Sequence, residues 1–217
     1  MERSDGLTQE VAAFIVRTTY QDLPAEAIRI AKRCLIDGTG VMLSGSTEKS
    51  SMILRQYLES IGGRTESSVL GSKLTLPAQA AALANGASGH AQDFDDTQLS
   101  NAPDRISGLL THPTTPVLAA TLALGEAMTI SGKELLTAFS IGFEVECKIA
   151  EAIHPIHYEK GYHTTGTIGA FGAVTAAGKI LALSESTMGY ALGIVASIMP
   201  SLAVARLSVV EGLKSLD

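Results

Sequence analysis

The sequence has no tryptophan, and aromatic residues amount to only 5% although hydrophobic residues reach 46%. An interior assembled from Ala, Leu, Ile, Val and Gly favours closely spaced helices over a β-sandwich or barrel. Basic runs are missing as well, none being longer than Lys32-Arg33. With a net charge of −6 the chain offers no positive field, so nucleic acid and anionic membrane surfaces are not expected partners. Cysteine is scarce: Cys34 and Cys147 both sit in apolar surroundings, which suits reduced core thiols better than a secreted disulfide framework. No long apolar run stands uninterrupted. The one membrane-like stretch, Gly166 to Leu183, is broken by Lys179 and four glycines and is expected to be a buried helix. The opening Met1-Glu2-Arg3-Ser4-Asp5-Gly6 lacks the basic start and apolar core of a signal peptide, so a cytoplasmic location is expected.

What is present is helical periodicity. Val11, Ala12, Ile15 and Val16 fall on one stripe, and Pro24 opens a second helix carried by Ala27, Ile28, Ala31, Cys34 and Leu35. A third spans Ser51 to Ile61, closed by Gly62-Gly63, and Ser67 to Gly71 is a brief extended piece with no second strand-like run near it. Pro77 opens an Ala-rich helix running toward His90, and a polar loop joins Thr97 to Thr111. Further helices are expected at Pro116 to Met128, Ser131 to Ile153, Thr165 to Leu183 and Ser184 to Ile198. Ser131-Gly132-Lys133-Glu134 fits a capping box. The expected fold class is therefore all-α, a bundle of about eight helices. Gly166, Gly169 and Gly172 recur inside one of them. The later two suit close approach of a neighbouring helix. Gly166, in the first turn where amides are free, suits contact with a bound anion.

Three segments carry chemistry. His90 and Asp93 share a face if their helix persists, and Asp95, Asp96 and Thr97 follow at once. An exposed acidic helix end and a working cluster both fit this spacing; Phe94, wedged among the aspartates, argues for partial burial. Thr111-His112-Pro113-Thr114-Thr115-Pro116 places an imidazole at a helix start, where the positive end favours the neutral, base-competent form, or where it simply caps the helix. Tyr162-His163-Thr164-Thr165-Gly166 repeats the arrangement. His154 and His157 are expected to form a solvent-facing loop pair, and no Cys or third ligand is spaced to complete a zinc site with them.

Four stretches resemble, in order, the signatures of the MmgE/PrpD family: His90 to Thr97, Leu109 to Pro113, Glu144 to Lys148, and Gly161 to Gly169. That family includes 2-methylcitrate dehydratase, cis-aconitate decarboxylase and an iminodisuccinate epimerase. The resemblance implies an all-α domain with a smaller α+β lid, a homodimer, and no metal or organic cofactor. It implies Asp93 and Thr97 as active-site aspartate and threonine, and His112 and His163 as the two active-site histidines. Lys214, in Lys214-Ser215-Leu216-Asp217, partly matches the family's lysine motif. On this basis His112 or His163 is the expected general acid/base and Asp93 orients it or the substrate. Thr97 and Lys214 hold a carboxylate.

Two domains of ordinary size need roughly twice this length, so residues 1–217 are expected to be the helical domain, incomplete at its C-terminal end and without the lid. The implied activity is a dehydratase-type lyase on small di- or tricarboxylates, with decarboxylation and epimerisation as alternatives. Two other classes remain: a non-catalytic helical fragment serving only assembly, and a divalent-metal helical enzyme using His90, Asp93, Asp95 and Asp96. Against the latter, no His-Asp dipeptide and no Asp-Asp-x-x-Asp spacing occurs.

Overall fold

A computed structural model describes residues 6–99 and 111–197. Among them the regular structure is almost entirely helical: α1 Leu7–Arg17, α2 Ala25–Gly45, α3 Lys49–Ile61, α4 Ala78–His90, α5 Thr114–Met128, α6 Gly132–Ile153, α7 Ile156–Glu159 and α8 Thr164–Ile180. A last helix, α9, covers 185–197. Every helix expected from periodicity is present, and the additions are the single turn α7 and a three-residue 3-10 turn at Tyr20–Asp22. No described helix is long and apolar enough to cross a membrane.

One expectation fails at the small sheet. Ser67–Ser68 (β1) pairs antiparallel with Thr75–Leu76 (β2), so a partner strand does stand near it. Two-residue strands fall below any periodicity window, and the pairing is secured from outside: Ser67 Oγ donates to the Ala123 carbonyl at 2.6 Å, and Asn85 Oδ1 accepts from the Leu70 amide at 2.9 Å.

Helix α5 lies at the centre, packed against α4 and α8, while α6 runs along α8. Met42, Val117, Leu118, Ala138, Phe139 and Ala176 form the main core, and Ile15, Ile141, Val145, Met188 and Leu192 form a second one under α1 and α9. With so few rings, closeness has to come from small residues. A β-carbon on Gly45 would fall 1.9 Å from the Ser88 carbonyl oxygen of α4, and one on Gly142 would fall 2.7 Å from the Gly172 carbonyl oxygen of α8. Both crossings therefore require glycine, and the later glycines of α8 serve the close approach expected of them.

Helix starts follow local chemistry. The Ser131/Glu134 capping box is formed, with Ser131 N donating to Glu134 Oε2 at 2.7 Å. Cys34 and Cys147 are both free thiols, half-buried and buried respectively.

Candidate active site

Helix α4 stops at His90, so His90 and Asp93 do not share a helix face. The chain instead turns back through Asp93, which adopts a left-handed conformation (φ 57°). Asp tolerates that conformation better than most residues, yet it is uncommon for any side chain, and such outliers cluster at working sites. The turn brings Asp95 beneath His90 and beside the start of α5. Phe94 contradicts the partial burial expected of it, being 72% exposed, because the turn points it outward.

The two aspartates after the turn are gripped by the first turn of α5. Thr115 Oγ1 donates to Asp95 Oδ2 at 2.8 Å, while Thr114 donates to Asp96 through both its amide (3.1 Å) and its hydroxyl (2.7 Å). A helix amino end supplies unsatisfied amides and a partial positive charge, so this is the place where the fold can bury carboxylates. Burial still dominates at Asp96: desolvation pushes its carboxyl up against the opposing Thr114 hydrogen bonds.

Asp95, whose side chain is almost fully buried, orients two imidazoles. His90 Nδ1 stands 3.0 and 3.1 Å from its carboxylate oxygens. His112 Nδ1 stands 3.3 Å from its carbonyl oxygen and 3.5 Å from Oδ1. These neighbours can only accept, so the hydrogen-bond network assigns a proton to Nδ1 of both rings and leaves each Nε2 with a lone pair when the ring is neutral. Asp93 Oδ1 lies 3.6 Å from His112 Nε2, placed to act as its counterion once that nitrogen takes up a proton.

His163 caps α8 with the opposite sense. Its Nδ1 accepts from the Gly166 amide at 3.1 Å, which places the proton of the neutral ring on Nε2. The rings converge: His90 meets His112 edge-on at 4.9 Å between centroids and His163 at 5.6 Å. One corner of the bundle thus presents a lone pair on a buried histidine and an N–H on an exposed one.

Of the residues singled out from sequence, Asp93, His112 and His163 are brought together in this corner. Thr97 is exposed. Gly166 is exposed too, and its amide is engaged by His163. Lys214 lies outside the described residues. His90, Asp95, Asp96 and Thr115 complete the corner, with Asp95 facing Nδ1 of both His90 and His112 while Asp93 faces His112 Nε2. The sequence signal was the Thr114-Thr115 pair at a helix start, two hydroxyls poised over one buried and one half-buried acid. His90, Asp93, Asp95 and His112 also offer donor atoms within 4.8 Å of one another, a set that suits a divalent cation, although both Asp95 oxygens already serve His90 and Thr115. His157 is not simply solvent-facing: its Nε2 lies 2.7 Å from Thr167 Oγ1, its ring stacks on Tyr162, and desolvation lowers its pKa.

Fold and site together define a helical domain whose clustered histidines and aspartates gather where α4 ends and α5 and α8 begin. The chain belongs to the MmgE/PrpD family: the pattern of the MmgE/PrpD N-terminal domain matches residues 9–215. It is similar to cis-aconitate decarboxylase of Homo sapiens, at 32% identity over 88% of this chain and 39% of that one. Cis-aconitate decarboxylase of Aspergillus terreus is 30% identical over 87% of this chain and 38% of its own length. The cis-aconitate decarboxylase-like protein oryM of Aspergillus oryzae is 27% identical over 93% and 42%. The chain spans about two fifths of the length of these curated relatives.

Proposed function

We propose that residues 1–217 form the helical, proton-transferring domain of a two-domain lyase that acts on a small di- or tricarboxylate. His112 and His163 exchange protons with the substrate, and Asp93 acts beside His112. The observation that carries this reading is the opposed placement of protons: Nδ1–H of His112 directed at Asp95, and Nδ1 of His163 occupied by the Gly166 amide. A base and an acid stand ready in the same corner without any prior proton shuffle. Thr97 and Lys214 are assigned to holding substrate carboxylates, whereas Gly166, expected to share that task, gives its amide to His163 Nδ1 instead. Local donors of this kind are needed to bring an anion to a chain of charge −6.

Decarboxylation of a cis-aconitate-like acid is the first reading, because the relatives carry that name. The bond to the leaving carboxylate breaks, its electron pair passes to the carbon left behind, and an imidazole delivers a proton there. Elimination of water from a 2-methylcitrate-like acid is the second. Its support is the presence of two proton carriers of opposite sense: one removes the proton beside a carboxylate while the other protonates the departing hydroxyl.

The test offers cis-aconitate and 2-methylcitrate to the full-length gene product in heavy water. Carbon dioxide release with one deuterium on the product carbon supports the first reading, and water loss supports the second. His112→Gln and His163→Gln each lower turnover about 10²–10⁴-fold. Undiminished turnover in both variants sinks the assignment.

A further inference from the structure

Glu146 is an acid on an apolar stripe. Phe139, Gly142 and Ala150 lie on the same buried face of α6, and Glu146 among them is 0% exposed. Its carboxyl nests over the glycines of α8: a β-carbon on Gly172 would fall 2.5 Å from Oε2, and one on Gly169 would fall 3.7 Å from Oε1. Oε2 has no hydrogen-bond partner, and burial pushes the carboxyl well above the ordinary glutamate range. A buried carboxyl with one orphaned oxygen is a net liability for folding, and an apolar side chain at this position would remove it. A residue that breaks a local rule in this way calls for a compensating role.

Its other oxygen shows what that role is. Thr111 Oγ1 donates to Glu146 Oε1 at 2.9 Å and stands 3.4 Å from Thr165 Oγ1, which in turn accepts from the His112 amide at 3.0 Å. Thr165 precedes Gly166, whose amide holds the His163 ring. The next residue of α6 fastens the chain after Thr97, with Gln98 Nε2 donating to the Cys147 carbonyl at 3.2 Å. One turn of α6 thereby ties down three segments that carry site residues. The hydrogen-bonded chain from Glu146 ends on the backbone of His112 and not on its ring, so it cannot pass a proton to the reacting nitrogen. What it can do is hold position.

We propose that Glu146 is a positioning residue which, through Thr111 and Thr165, fixes the His112 backbone against the first turn of α8 and so sets the spacing of His112 and His163. The inference rests on the reading of those two histidines as the proton carriers. A displacement of about 1 Å at such a site is enough to lower turnover roughly a hundredfold without abolishing binding.

Hydrogen exchange at the His112 amide, read by NMR on the full chain, tests the link, and kcat and KM of the full-length gene product test its consequence. In Glu146→Leu the His112 amide exchanges at least roughly tenfold faster relative to the Leu118 amide in the core of α5. In the same variant kcat falls about ten- to a hundredfold while KM moves less than about threefold. Glu146→Gln restores an acceptor for Thr111 and returns both readouts to within about threefold of the parent. Thr111→Val cuts the same link from the other side and carries the test where Glu146→Leu fails to fold. Unchanged His112 exchange in Thr111→Val overturns the proposal, and so does a Gln variant that behaves like the Leu variant. Failure of the functional reading is seen separately: a fully active His112→Gln removes that reading and leaves the exchange result on Glu146 standing.

Discussion

The segments Thr111-His112-Pro113-Thr114-Thr115 and Tyr162-His163-Thr164-Thr165-Gly166 share a pattern, a histidine followed by hydroxyl residues at a helix start, and the fold puts them to opposite uses. His112 is 5% exposed and its Nδ1 faces the carbonyl and carboxylate of Asp95. His163 is exposed and its Nδ1 receives the Gly166 amide. The same local chemistry thus yields a ring with its proton on Nδ1 and a ring with its proton on Nε2. The difference comes from the partner each ring meets: a chain folded back from α4 in one case, its own helix in the other. Tautomers are set by tertiary context, and a pair set in opposite senses offers one corner both a proton acceptor and a proton donor.

The strongest way to break the contrast is Asp95→Asn. Whichever way the amide turns, an N–H is placed toward His90, His112 or Thr115, where only acceptors served before. With the amide nitrogen in the place of Oδ1, only the Asp95 backbone carbonyl is left to accept from His112 Nδ1, and repulsion from the amide N–H moves that ring's proton to Nε2, so that the base is lost. A fall in kcat of about 10³–10⁴ is expected, as for other orienting aspartates that hold a catalytic imidazole in one tautomer. Long-range proton–nitrogen NMR should report the exchanged tautomer, and an unaltered His112 spectrum with full turnover would contradict the assignment.

Next in size is Asp93→Gly. Glycine accepts the left-handed backbone of this position (φ 57°) and removes the carboxylate that faces His112 Nε2. Stability should hold or rise by up to about 1 kcal/mol in urea titration while kcat falls roughly a hundredfold. A variant that loses stability instead would show that the turn is held by the carboxylate and not tolerated for its sake.

How much of this was legible in the sequence follows from where each interaction lies along the chain. Helices α1 to α6 and α8 announce themselves through stripes and caps such as Ser131/Glu134, because those signals are local. The paired strands at Ser67 and Thr75 escape because two residues carry no period. Asp93, His112 and His163 could be named because the family resemblance singles them out, the two histidines standing also at helix starts. The orienting role of Asp95 could not, since it depends on the chain reversing after His90, and alternation along the sequence does not encode that reversal. Glu146 left a fainter signal, an acid in register with Phe139, Gly142 and Ala150, visible only once that face is known to be buried.

Glu146 also gives the comparison a pH axis. Burial raises its carboxyl well above the ordinary 4.5, so the native chain keeps a proton that the unfolded chain has already lost. The associated stability is fully present below that ordinary value and is lost as pH rises through the raised one. Glu146→Gln carries no such proton. In denaturant titrations its stability relative to the parent should therefore improve with rising pH above 4.5, by at most about 1.4 kcal/mol per pH unit. A gap that stays flat would mean that the carboxyl finds a partner for Oε2 in solution.

The smallest effect separates the two duties of His163, capping α8 and presenting Nε2–H. In His163→Asn the side-chain oxygen can take over the Gly166 amide, since Asn is among the preferred N-cap residues, but nothing replaces the outward N–H. Stability should stay within about 0.5 kcal/mol of the parent, whereas His163→Ala, which leaves the Gly166 amide uncapped, should cost about 1 kcal/mol. Both variants should lose turnover alike if the ring is the acid. Should His163→Asn keep its turnover while His163→Ala does not, the ring serves only as a cap, and the resemblance between the two histidine segments ends at the helix start.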